Sequence, residues 1–441
     1  MDDVRRLTQI ADLCLRIGDV LMSSGAGAAD VTVTMQAIAH AYGQPTPEID
    51  VTFTSLSISL TAEDADQPVV LMRLVKRRAL DYDILTHVHR LVGELVHDPM
   101  ELSEARQRMR QIVSAPRSLP RWAVTLAWGV MCAAVSTYLG GRVMVALTAF
   151  VSAVLIERTQ AWLSTHRLPT FYLQVVGGMI ATLIAVGLQA ASVDATASLV
   201  VTANIVMLLA GIGFLGALQD ALSGFYVTAN ARLLEAMLAT AGIIAGVAAG
   251  LTFGDLVGVD LGLLVPGFAG WVSVPAVVVG GAVSAAAFAA ACRAPKRSWI
   301  PIALVSGGAA FLYQASEASE LGRPWAAASA AFFIGLIAYG VSGRFRIPPL
   351  IIAVSSIVPF LPGLSIYRGL SLLSAGGSGA VPGMLSMVTA VSVAVALAAG
   401  VILGEYVAQP VKRNARRLED RLAGPRMVGA ERVRGRRTRS D

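Results

Sequence analysis

Along this chain the apolar positions change character near Arg121. Before that point they recur at the periods of small amphipathic elements. Val4, Leu7, Ile10, Ala11, Leu13, Cys14, Ile17, Val20 and Leu21 follow a helical period and predict a helix over 4–22. Ser23-Ser24-Gly25-Ala26-Gly27 ends it, and Asp30 is placed to cap a second helix over 31–42, which Gly43 and Pro45 stop. Alternation over 49–61 and 69–75 predicts two strands around the polar turn Glu63–Gln67. Two amphipathic helices, 81–97 and 101–114, flank Pro99. Residues 1–118 therefore read as a small α+β module of order ααββαα.

Beyond Arg121 the pattern is one of long apolar runs. A bilayer core needs about 20 mostly apolar residues per helix. Ten runs qualify: 122–139, 142–157, 170–190, 196–218, 233–253, 271–292, 299–315, 325–341, 347–366 and 384–407, the second short and the ninth broken by prolines. If the front module lies inside, the inner segments carry 32 of the 35 Lys and Arg, and Arg142, Arg323 and Arg368 alone lie outside. The positive-inside rule then sets both termini in the cytoplasm, and the spans are expected in the cell's inner (cytoplasmic) membrane. The expected fold is an all-α polytopic membrane protein behind the α+β cytoplasmic module.

Composition sharpens this division. The 441 residues are 55% hydrophobic and only 15% charged, against roughly 25% charged in soluble domains. Residues 1–120 hold 16 of the 29 acids, and 122–407 hold nine. Three scattered cysteines, Cys14, Cys132 and Cys292, suit reduced thiols rather than a disulfide framework or zinc cluster. The net charge of +6 is concentrated in the basic tail, 411–441, which is placed to meet anionic lipid more readily than nucleic acid. No secretory leader pattern opens the chain, since Met1–Gln9 is polar. Gly242, Gly246, Gly250 and Gly254 share one helix face, and Gly400 and Gly404 repeat that spacing, which lets helices pack closely in lipid.

Two segments resemble each other. Gly213-Phe214-Leu215-Gly216-Ala217-Leu218 closes the fourth run, and Pro359-Phe360-Leu361-Pro362-Gly363-Leu364 lies in the ninth. Each occupies the fourth position of a five-run half, 119–255 and 256–410, and an odd number of spans inverts one half against the other. Inverted repeats with matching Gly/Pro breaks are a transporter architecture, because a broken helix exposes polar backbone that hydrocarbon does not tolerate. Asp220 is the candidate for proton coupling, with Glu235 beside it, while Arg232 and Glu235 share a helix face and could pair. The candidate substrate-binding positions are Asn204, Gly213, Gly216, Arg232, Ser355, Ser356, Pro359, Pro362, Gly363, Tyr367 and Arg368. Thr202, Asn204, Ser355 and Ser356 serve either a polar path or back-bonding within their own helices. Arg368 either receives a carboxylate or marks the membrane edge. In the module, His87, His89 and His97 lie among Asp81, Asp83 and Asp98, but residues two apart on a helix diverge, which disfavours a metal site. Arg73, Lys76, Arg77 and Arg78 form a basic cluster on a solvated strand end or near the membrane.

These segments resemble the threonine/serine exporter family of the ThrE type. The likeness rests on Leu21-Met22-Ser23-Ser24-Gly25-Ala26, on Asp220–Tyr226 with Ala231–Ala236, and on Val358–Gly363 with Tyr367-Arg368-Gly369-Leu370. Where that family often has Pro-Gly in its first repeat, this chain has Leu215-Gly216-Ala217, so a milder break is expected. The resemblance implies ten spans and export of threonine and serine driven by the proton motive force, without a cofactor. An exporter of a short carboxylate and a membrane sensor are the rival readings. A membrane hydrolase lacks a paired catalytic set. The expected partners are threonine, serine, protons and membrane lipids, not nucleic acid, and a homo-oligomer is left open.

Overall fold

The computed structural model describes residues 2–61, 67–75, 80–191, 197–209, 211–259, 274–319, 322–375 and 377–422. The turn Glu63–Gln67, most of the basic cluster at 76–78, and the tail beyond 422 lie outside the described residues or at their edge.

The front module opens with α1 (Asp2–Ser23) and α2 (Ala28–Ala41). The α1 face read from the sequence is buried, including Ile10, Cys14 and Ile17. The single strand expected over 49–61 is two, β1 (Glu48–Val51) and β2 (Ser55–Leu60), followed by β3 (Val69–Leu74). A turn closed by Thr52 N–H donating to Ser55 O (2.9 Å) splits them, and all three form one antiparallel sheet in the order β1-β2-β3. Ile58 faces Ile49 on one side and Leu71 on the other. The order is thus ααβββαα, completed by α3 (Tyr82–His97) and α4 (Leu102–Ser114). Asp81 caps α3 by accepting from Ile84 N–H (3.3 Å). Arg73 pairs with Asp19 at 2.8 Å, which accounts for the described member of the basic cluster.

Asp30 does not cap α2. That helix begins at Ala28, Asp30 sits in its first turn, and the N-cap residue Gly27 offers no side chain. The orphan amide of Ala28 instead donates to Asp220 Oδ1 at 2.6 Å, from 192 residues away.

The apolar half of the chain contains α5 (Arg121–Tyr138), α6 (Val143–Thr165), α7 (Thr170–Ala190), α8 (Ala197–Leu208), α9 (Gly211–Leu222) and α10 (Tyr226–Leu256). It continues with α11 (Val274–Ala291), α12 (Trp299–Ala318), α13 (Arg323–Phe345), α14 (Pro349–Ile357), α15 (Gly363–Ala375) and α16 (Ala380–Leu422). Helices occupy all ten expected stretches, but the count of membrane spans differs. Among the described residues seven are long and apolar enough to cross a bilayer, counting α14 with α15 as one, and the bent pair α8–α9 makes eight. The helices α5 and α12, at 18 and 20 residues, fall outside that set. The expected short second span is 23 residues in α6, because it runs on through Glu157, whose Oε2 accepts from Thr125 Oγ1 at 2.7 Å.

The first break is displaced from its expected place. Gly213–Leu218 lies within α9, and α8 ends at Leu208, with the two helices meeting at 46°. The second break falls where the prolines predict: a 3-10 turn over Val358–Phe360 separates α14 from α15.

Small residues bring the long helices together. A Cβ on Gly246 would collide with the Val175 carbonyl of α7, and one on Gly404 with the Phe332 carbonyl of α13. The pair α7–α10 is therefore packed like α13–α16, backbone on backbone. The helices α5 and α11 run antiparallel: Trp128 meets Phe288 (ring centroids 5.7 Å), and Tyr138 meets Gly280.

Candidate functional site

The predicted residues separate into two places. One is a joint between the module and the membrane region. Asp220 near the end of α9 and Arg232 near the start of α10 pair at 3.1 Å (Oδ2–Nε). Arg232 also donates from Nη2 to Ala26 O at 2.6 Å, while Asp220 accepts the α2 amide. Gly216 is the floor of this joint, since a Cβ there would collide with the Arg232 guanidinium. At the rim Gln219 donates to Asp30 Oδ2 (3.2 Å), and Thr228 donates to Val51 O (3.3 Å). A second contact lies on the same side, where Tyr82 N–H donates to Cys292 O (2.9 Å) and Asp81 stands 3.5 Å from Arg293. The ionic partner of Arg232 here is thus Asp220, an acid on the preceding helix, rather than only the same-face neighbour Glu235.

The other place is a cavity of about 360 Å³ beside the second break. Pro359, Phe360, Leu361 and Pro362 form one wall, and Thr202 and Val206 of α8 another. The α12–α13 corner supplies Tyr313, Gln314, Glu317 and Arg323, and Tyr138 and Ser365 complete the polar lining. Phe360 anchors the wall by stacking on Tyr313 (5.5 Å) and meeting the edge of Tyr138 (6.1 Å). Glu317 and Arg323 pair at 3.5 Å with 39% and 28% of their side chains exposed. A separate apolar cavity of about 330 Å³ lies between α9, α10, α15 and α16 and includes Phe214 and Leu215. Leu361 and Pro362 line both cavities, so the break is the partition between them.

Gly363 lets α15 approach α8, because a Cβ there would press on Val206. Gly213 packs toward Ala236 of α10. Asn204, Ser355 and Ser356 are fully buried but do not line the polar cavity. Asn204 bonds back to Val200 O (2.8 Å), the back-bonding expected as one alternative, and among the described residues its Oδ1 has no hydrogen-bond partner, nor has either serine hydroxyl. Tyr367 is buried in α15, and Arg368 is exposed on it, outside both cavities. Tyr138, Tyr313, Gln314, Glu317 and Arg323 were not among the candidate site residues. Their only signal in the sequence was that Glu317 is an acid in the apolar half and Arg323 one of three outer bases.

Among the described residues no group of three or more His, Cys, Asp or Glu side chains could hold a metal ion. The three cysteines are free and buried. Burial pushes the Cys14 thiol up to about 12, partly offset by a backbone hydrogen bond, which leaves it protonated and unreactive.

Apolar helices, two of them broken, around a polar cavity define a multi-pass membrane protein of the transporter class. The chain belongs to the threonine/serine exporter family. The family described as "Putative threonine/serine exporter" matches residues 12–254, and that described as "Threonine/Serine exporter, ThrE" matches 277–407. The chain is 34% identical over 424 residues to the "Threonine/serine exporter" of Corynebacterium glutamicum, covering 94% of this chain and 86% of that one. It is 33% identical over 429 residues to the "Probable threonine/serine exporter" of Mycobacterium tuberculosis, covering 95% and 80%. No solved structure matches it.

Proposed function

We propose that this protein exports threonine and serine across the cytoplasmic membrane, driven by the proton motive force, with both termini in the cytoplasm. The observation that carries the reading is the polar cavity at the second break, where a carboxylate and a guanidinium stand together with hydroxyl and amide groups. Such a lining suits a small zwitterion. A short dicarboxylate would meet Glu317 as a like charge, which disfavours that rival.

The export unit in this proposal is two inverted five-helix halves, 119–255 and 256–410, between the module (1–118) and the basic tail (411–441). Ten spans result if α5 and α12 cross with the other eight. The antiparallel α5 and α11, the equivalent packing of α7–α10 and α13–α16, and the family match that divides between 254 and 277 support it. Rocking of the halves would open the partition at Leu361 and Pro362 to alternate sides.

Asp220 or Glu235 would carry the coupling proton. Protonating Asp220 would weaken its hold on both Arg232 and the α2 amide, so the joint is the element that would respond. One charge crossing 100 mV gains about 2.3 kcal/mol, enough for a gradient of about 50-fold.

The test is threonine efflux from cells fed a threonine peptide, with and without the protein, joined to counterflow in vesicles. Faster efflux with the protein is expected, and Asp220→Asn should lose gradient-driven efflux while keeping counterflow. Equal efflux with and without the protein overturns export. Normal driven efflux by Asp220→Asn removes Asp220 from coupling.

A further inference from the structure

We infer that Glu317 and Arg323 form a two-point clamp for an α-amino acid zwitterion, with Arg323 receiving the carboxylate and Glu317 the ammonium group. The inference rests on the export reading and names the residues that select the substrate.

Local helix energetics do not account for this pair. Glu317 lies in the last turn of α12 and Arg323 is the first residue of α13. The partial charge of a helix is negative at its C-terminus and positive at its N-terminus, so each side chain stands at the end that repels it. Exchanging the two charges would suit both helices better. Residues that break a local rule mark places where something other than folding sets the choice.

The geometry also leaves the pair available. Its Nε–Oε1 separation of 3.5 Å is longer than the roughly 2.7–2.9 Å of a tight charge-assisted bond. Both side chains are partly exposed, and both line the cavity that reaches the break. A zwitterion entering between them exchanges one loose ion pair for two, with opposite charges meeting on each side. The guanidinium is a planar fork suited to a carboxylate. Gln314, Ser365 and Thr202 on the same cavity offer amide and hydroxyl groups for the substrate's side-chain hydroxyl.

Counterflow of labelled threonine by the full-length protein in liposomes tests this, with N-acetylthreonine, which lacks the cation, and threoninamide, which lacks the carboxylate, as competitors. Neither analogue should compete with threonine on the wild type. Arg323→Gln and Glu317→Gln should each raise the half-saturating threonine concentration by about tenfold to a hundredfold, the worth of one charged hydrogen bond. Glu317→Gln should also narrow the discrimination against N-acetylthreonine. Melting temperature in detergent reports whether each variant is folded, and Arg323→Lys and Glu317→Asp, which keep the charges, serve where a glutamine variant fails to assemble. Variants that saturate at the wild-type concentration and reject both analogues overturn the clamp alone. A wild type that does not exchange threonine overturns the export reading, and the clamp with it.

Discussion

Among the described residues, the carboxylate–guanidinium pairs Asp220–Arg232 and Glu317–Arg323 stand at opposite ends of the membrane region, and they are built differently. Asp220 and Arg232 are 0% and 7% exposed, meet at 3.1 Å, and are further engaged by the Ala28 amide and the Ala26 carbonyl. Glu317 and Arg323 are 39% and 28% exposed and meet at 3.5 Å on a cavity wall. Backbone from the front module reaches both members of the first pair, so it joins two parts of the chain. The second faces open space. Identical chemistry becomes a fastening or a receptor according to what else reaches it.

The largest effect is expected at the buried pair. Arg232→Ala leaves the buried Asp220 carboxyl without its ionic partner, which should cost about 3–5 kcal/mol of stability. Melting in detergent should register it, and proteolysis of the exposed segment 115–118 should quicken as the module loosens. The double replacement Asp220→Leu with Arg232→Met should be milder than Arg232→Ala, since no lone charge remains. An undiminished melting temperature in Arg232→Ala would erase the distinction between the two pairs. At the open pair, Glu317→Gln should change stability by no more than about 1 kcal/mol, after solvent screening, while impairing threonine recognition. A large fall in melting temperature there would make that pair structural too.

The smallest effect concerns Asp30, at the rim of the joint. The residue meets solvent, yet its carboxyl is crowded away from water and raised above the ordinary carboxylate range, partly offset by the bond from Gln219. A carboxyl raised in the folded state weakens folding above that raised value, and the loss is recovered as pH falls toward the ordinary value. Asp30→Asn should therefore melt slightly higher than wild type near neutral pH, with the gap closing in acid. A gap that widens in acid would contradict the sign.

Much of the fold is legible because it is local. The glycines of α10 and α16 mark the faces that meet α7 and α13, and Pro359 and Pro362 mark the break. The alternation over 49–61 is visible, but the turn that divides it is made by Thr52 and Ser55, without the glycine or proline that usually signals one. The first break was expected at Gly213–Gly216 and lies before it, because glycine permits a break without requiring one, whereas proline removes an amide. Asp30 had the right spacing for a cap, but an acid far along the chain occupies that position.

The order of apolar runs determined by itself that this is a membrane protein with a polar front module, since insertion responds to hydropathy summed along each segment. Which charge meets which, and which of them faces a cavity, was decided only in the tertiary structure. Nothing in the sequence marks Glu317 and Arg323 as a pair, because a pocket is made by helices that close around it, and Asp220 gains a backbone partner from a segment 192 residues earlier in the chain. Electrostatic roles depend on distance and burial, and neither is a property of position along the chain.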